Sequence, residues 1–154
     1  MLHILAVTAA LAAPQVTVPP LFEDELPSVK DKTEIAVLLP QTMPDLFGEY
    51  FPAASARRRS YVLDLGAAPG CGGATACFVA AFTGRKGGQP SGRRRVELAR
   101  GRVGRFQPLS CGASCSPPSI SWRERGNTYE IQAKVERRRQ LIRMADSAIR
   151  HGAR

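Results

Sequence analysis

Residues 120–135, ISWRERGNTYEIQAKV, decide the fold. Ile120 and Trp122 alternate with polar residues, and so do Tyr129, Ile131, Ala133 and Val135. A period of two places these side chains on one face of a strand pair. Gly126 and Asn127 lie between the two runs and suit a tight turn, so the stretch reads as a hairpin with one buried face. From Glu136 to Ile149 the period becomes helical. Leu141, Ala145, Ala148 and Ile149 share a stripe with Met144 beside it, while Arg137, Arg138, Arg139 and Arg143 point largely elsewhere. Gly152 ends the helix. The hairpin face and the helix stripe each need a cover and are adjacent in sequence, so they are expected to form one core.

Upstream, residues 34–39 (EIAVLL) read as a first strand that stops at Pro40. Pro40, Pro44 and Pro52 leave no room for a long helix after it. Residues 60–65 (SYVLDL) and 77–82 (CFVAAF) read as a second hairpin around the Gly-rich turn CGGATAC. Residues 83–92 (TGRKGGQPSG) read as a long polar loop, followed by short strands at 95–99 and 101–109. Strands first and a closing helix give an α+β fold: an antiparallel sheet with a C-terminal helix packed on one face. The chain divides into a signal peptide over residues 1–12, an extended, proline-rich lead-in over 13–33, and a single domain over 34–154.

The compartment rests on two features. MLHILAVTAALAAPQ carries an apolar run from Leu2 to Leu11, and Ala10 and Ala12 fit an A-x-A cleavage pattern. The run is too short to span a bilayer as a helix, which takes about 20 residues. The four cysteines, Cys71, Cys77, Cys111 and Cys115, form an even set in a chain read as exported, which points to two disulfides. Their C-x5-C and C-x3-C spacings differ from the paired C-x2-C of zinc ribbons. Three connectivities are open; Gly and Ala fill both short loops and favour local pairs, Cys71 with Cys77 and Cys111 with Cys115.

Charge is uneven along the 154 residues. Residues 1–50 hold seven acids and two bases, net −5; residues 51–154 hold six acids and twenty bases, net +14. Such a field attracts anionic polymers, and the loop residues Arg85, Lys86, Arg93, Arg94 and Arg95 form the expected ligand surface. Catalytic constellations are missing. His3 lies in the signal and His151 at the far end, so no nucleophile has a base. The six carboxylates after residue 50 are scattered, and no residue is assigned to a cofactor or metal.

Residues 62–70, VLDLGAAPG, resemble the cofactor loop of S-adenosylmethionine-dependent methyltransferases, which implies a methyltransferase fragment as the alternative function. That family needs a helix directly after the loop; here CGGAT and then the β-favouring CFVAAF follow. From Ile35 onward the chain resembles a group of uncharacterised exported bacterial proteins with paired cysteines and a C-terminal hairpin and helix. The resemblance is carried by VLLPQTMP, YVLDL, CGGATAC, CFVAAF, CGASC, ISW, YEI and MADSAI. It implies an exported, non-catalytic envelope or extracellular domain. The other reading is a surface binder of an anionic polymer. N-terminal sequencing of protein recovered outside the cytoplasm should find the chain starting near Ala13; an intact Met1 there would contradict cleavage.

Overall fold

A computed structural model describes residues 13–154, so the expected signal peptide lies outside the described residues. In chain order the strands are β1 (Gln15–Thr17), β2 (Thr42–Pro44), β3 (Phe51–Arg57), β4 (Ser60–Gly66), β5 (Phe78–Lys86), β6 (Arg94–Glu97), β7 (Val103–Gln107), β8 (Ser110–Cys111), β9 (Cys115–Ser116), β10 (Ser119–Glu124) and β11 (Asn127–Ala133). The helices are α1 (Leu26–Lys32) and α2 (Arg138–His151), with 3-10 turns at Pro19–Phe22 and Ala99–Gly101. Seven strands form one antiparallel sheet in the order β3-β4-β5-β11-β10-β7-β6; β1–β2 and β8–β9 are separate pairs.

The hairpin β10–β11 sits near the middle of the sheet, with Ile120 opposite Ile131 and Trp122 opposite Tyr129. The Trp122 and Tyr129 rings stack with centroids 5.8 Å apart. The turn falls one residue earlier than the sequence suggests. Arg125 and Gly126 occupy it at φ +49° and +81°, and Asn127 pairs with Glu124. Two positive φ values give the turn a twist that matches its strands.

One face of the sheet is the core. Tyr61, Gly84, Tyr129, Trp122, Gly104 and Val96 form one row across it, and Leu63, Phe82, Ile131, Ile120 and Phe106 the next. Leu141, Met144, Ala145, Ala148 and Ile149 of α2 are buried in the same core, so the helix closes the face that the hairpin offers. A Cβ at Gly84 would overlap the Tyr61 ring, which lies across β5 only because that position has no side chain. The cysteines pair locally as Cys71–Cys77 and Cys111–Cys115.

Four expectations need correction. Residues 34–39 are not a strand of the sheet. Ile35, Val37, Leu38 and Leu39 are buried, but the segment's only bridge among the described residues joins Leu38 to Ala153. Their backbone is held instead by side chains and the C-terminal end. The Tyr61 hydroxyl accepts from the Leu38 N–H at 3.0 Å, the Tyr129 hydroxyl donates to the Ala36 carbonyl at 3.0 Å, and the Arg154 N–H donates to the Val37 carbonyl at 3.0 Å. Such a segment has a strand's apolar pattern and none of its ladder.

Residues 13–33 are not an extended lead-in. They hold β1, a 3-10 turn and α1, and they bury Val18, Phe22 and Val29. Prolines stand at the start of both helical turns, where a missing N–H costs nothing. The edge strand β3, FPAASAR, went unseen because most of it is exposed and it carries little apolar alternation. Residues 83–92 are not loop throughout. β5 runs on to Lys86, and the chain then crosses from mid-sheet to the β6 edge.

Replacing Tyr61 by Phe leaves the buried Leu38 N–H without its acceptor and should cost about 1–3 kcal/mol in urea denaturation. Burial holds the Tyr61 phenol well above the ordinary tyrosine value of 10. Its stabilising contribution is therefore present below pH 10 and lost as pH rises above that value, and Tyr61→Phe should show a shallower alkaline loss of stability.

Candidate functional site

The outer face of the sheet is polar. One row across it reads Ser55, Val62, Thr83, Glu130, Ser121, Arg105 and Arg95; the next reads Arg57, Ser60, Arg85, Thr128 and Arg123. The chain between β5 and β6 lies over this face as a strap. Ser121 Oγ accepts from the Ser91 N–H at 2.9 Å and donates to the Ser91 carbonyl at 2.8 Å. Thr128 Oγ1 donates to the Gly87 carbonyl at 2.8 Å. These bonds explain how Ser121 and Thr128 can be buried on a face that sequence alternation assigns to solvent. At Gly92, φ +138°, a Cβ would meet the backbone of Arg105 and Phe106, so the strap needs glycine where it reaches β7.

The strap divides the expected ligand surface. Arg85 folds back on it, Nη2 donating to the Gln89 carbonyl at 3.0 Å. Lys86 faces Glu34 at 3.6 Å, and Glu34 also pairs with Arg58. That pairing holds the Glu34 carboxyl below its usual range, the Arg58 hydrogen bond being the main cause. Arg93, Arg94 and Arg95 are exposed at the opposite edge. Four strand spacings separate β5 from β6, roughly 19 Å. Arg85 and Lys86 therefore do not stand together with Arg93–Arg95, and one extended ligand would have to cross the strap to touch both.

VLDLGAAPG forms β4 and the loop after it. Tyr61, Leu63 and Leu65 face the core; Asp64 faces outward between Ala53 and Ala81. After Gly70 the chain enters no helix. It closes the Cys71–Cys77 loop and returns as the antiparallel strand β5. A Cβ at Gly66 would lie 2.6 Å from Cys71 Cβ, so that glycine serves the return of the disulfide loop over its own strand. The cleft beside Asp64 holds about 60 Å³. That is far below the roughly 300–1,000 Å³ of small-molecule pockets. Its partial burial raises the Asp64 carboxyl above its ordinary value.

The larger basic feature is a groove of about 800 Å³ at the start of α2. Arg137, Arg138, Arg139 and Arg143 line it, with Ile142 and Met144 from α2, Thr42 and Pro44 from β2, and Glu136 at the rim. Arg137 is the N-cap, in extended conformation. Gln140 closes the helix start: its Oε1 accepts from the Arg137 N–H at 2.9 Å, and its own N–H donates to the Arg137 carbonyl at 2.9 Å. No acid stands in the first turn. The positive end of the helix and four arginines therefore face one groove, an arrangement that an anion relieves. Among the described residues none of these arginines forms an ion pair, and no group of three or more His, Cys, Asp or Glu is placed to hold a metal. The sequence places these arginines largely off the apolar stripe of the helix and assigns them no role. The available signal was three arginines at a helix start, where acids are the usual residues.

No protein-family model, curated protein or solved structure matches the chain.

The raised Asp64 carboxyl stabilises the fold only while protonated, at pH below about 4, and that contribution is lost as pH rises through its folded value. Asp64→Asn should therefore raise the urea midpoint at pH 7 and leave it unchanged at pH 3.

Proposed function

We propose that the chain is an exported, disulfide-stapled domain of the α+β class that binds an anionic polymer at the cell surface. The binding site is the arginine groove at the start of α2. The observation that carries this reading is the set of Arg137, Arg138, Arg139 and Arg143 in one groove of about 800 Å³, beside a helix start with no acid in its first turn. Separated charges on a surface give only weak, screened attraction, whereas several cations that share a groove can follow a polymer of regular negative charge.

Export is supported by the A-x-A pattern, the resemblance to exported bacterial proteins, and two disulfides whose Cys111 and Cys115 are exposed to any cytosolic reductant. No helix among the described residues is long and apolar enough to cross a membrane. The domain acts by holding its polymer and carries out no chemistry on it.

The test is titration with polyphosphate over a range of salt. The logarithm of affinity should fall linearly with the logarithm of salt. Replacing Arg137, Arg138, Arg139 and Arg143 by Ala should lower affinity by about tenfold or more at moderate salt and flatten the slope. The same change at Arg57, Arg58 and Arg59 should leave binding nearly intact. Affinity that survives molar salt, or that ignores the groove variant, would remove this function.

A further inference from the structure

A second, apolar cleft adjoins the arginine groove. This cleft holds about 450 Å³ and shares Glu136 and Arg138 with the groove. Phe106 and Val135 are buried at its base; Pro108, Leu109, Pro117 and Pro118 form one wall. Leu109 is 60% exposed, more than any other large apolar side chain among the described residues.

The wall is built to stay in place. Pro108, Pro117 and Pro118 have fixed φ. The strands β8 and β9 join in a short arm with Ser110 opposite Ser116, and the Cys111–Cys115 disulfide closes that arm immediately beyond Leu109. Across the cleft, Lys134 is occupied. Its Nζ donates to the Thr75 carbonyl at 2.6 Å and ties the Cys71–Cys77 loop to the end of β11. Arg138 is the cation left at the mouth, without an ion pair among the described residues, and Glu136 is the one carboxylate there.

Resting on the reading of the arginine groove as an anion site, we propose that the cleft takes the alkyl chain of an anionic single-chain lipid, whose head group sits among the groove arginines. An anionic polymer alone would have no use for a rigid apolar wall. A neutral apolar ligand would have no use for Arg138 in its lining or for the arginines of the adjoining groove. The cleft's volume lies toward the lower end of small-ligand pockets, which suits one chain rather than two.

The test titrates the oxidised domain with alkyl phosphates from butyl to decyl, below micelle formation. Affinity should rise about fourfold with each methylene that enters the cleft and then level off. Leu109→Gln alters an exposed residue without adding charge and should abolish the chain-length dependence while leaving polyphosphate binding unchanged; Leu109→Met should keep both. A flat series, or one untouched by Leu109→Gln, overturns the proposal and leaves the polymer reading standing. A rising series from a domain that does not bind polyphosphate upholds the lipid site and overturns the polymer. Decyl maltoside binding as tightly as decyl phosphate overturns the anionic head group.

Discussion

The buried segment between β-sheet and C-terminal helix sets the conditions the rest of the structure meets. Residues 35, 37, 38 and 39 carry large apolar side chains into the core, and their backbone goes with them. Buried N–H and carbonyl groups need partners, and no strand lies alongside to supply them. The sheet answers with two tyrosines, Tyr61 from β4 and Tyr129 from β11, whose rings fill the core while their hydroxyls reach the backbone of Leu38 and Ala36. Gly84 is empty so that the first ring can lie flat, and Trp122 packs on the second. The helix adds Ser147, whose Oγ accepts from the Gln41 N–H at 2.8 Å. A short hydrophobic segment thus dictates residue choice on two strands and the helix.

Where a side-chain period repeated, the sequence was legible. The hairpin of Trp122 and Tyr129, the α2 stripe, and the alternation of Tyr61, Leu63 and Leu65 all emerge as elements because each has one apolar and one polar face. Legibility failed where burial and hydrogen bonding part company. Residues 34–39 are as apolar as a strand and are not in the sheet; β3 is in the sheet and barely apolar. Propensity does not record which neighbour supplies a ladder. The prolines near residues 19 and 27 were misread for a related reason, since one residue both ends and begins helices.

The candidate site was half legible. Basic character was plain from composition, but the expected cluster rested on closeness in sequence. Arg85 and Arg95 are ten positions apart in the chain and four strands apart in space. The groove arginines were seen and set aside, because a helical wheel gives the direction of a side chain and says nothing of what stands opposite. Only the approach of β2 to α2 turns an exposed helix face into a groove. The apolar cleft had no sequence signal, since its wall comes from Leu109 and the prolines that flank a pair of two-residue strands.

The segment at residues 35–41 is also held from far along the chain: Ser147 lies 106 positions from its partner and Arg154 lies 115 from Leu39. Such contacts form only after a very large loop has closed, and its entropy is lost before any of them contributes. The central strand pairing of β5 with β11 also joins distant parts of the chain. Folding of this domain should therefore be slow for its size. A long-lived open chain with exposed strand edges is vulnerable to aggregation. For a domain read as exported, that delay has a use: a chain that closes late can still be threaded across a membrane before it folds.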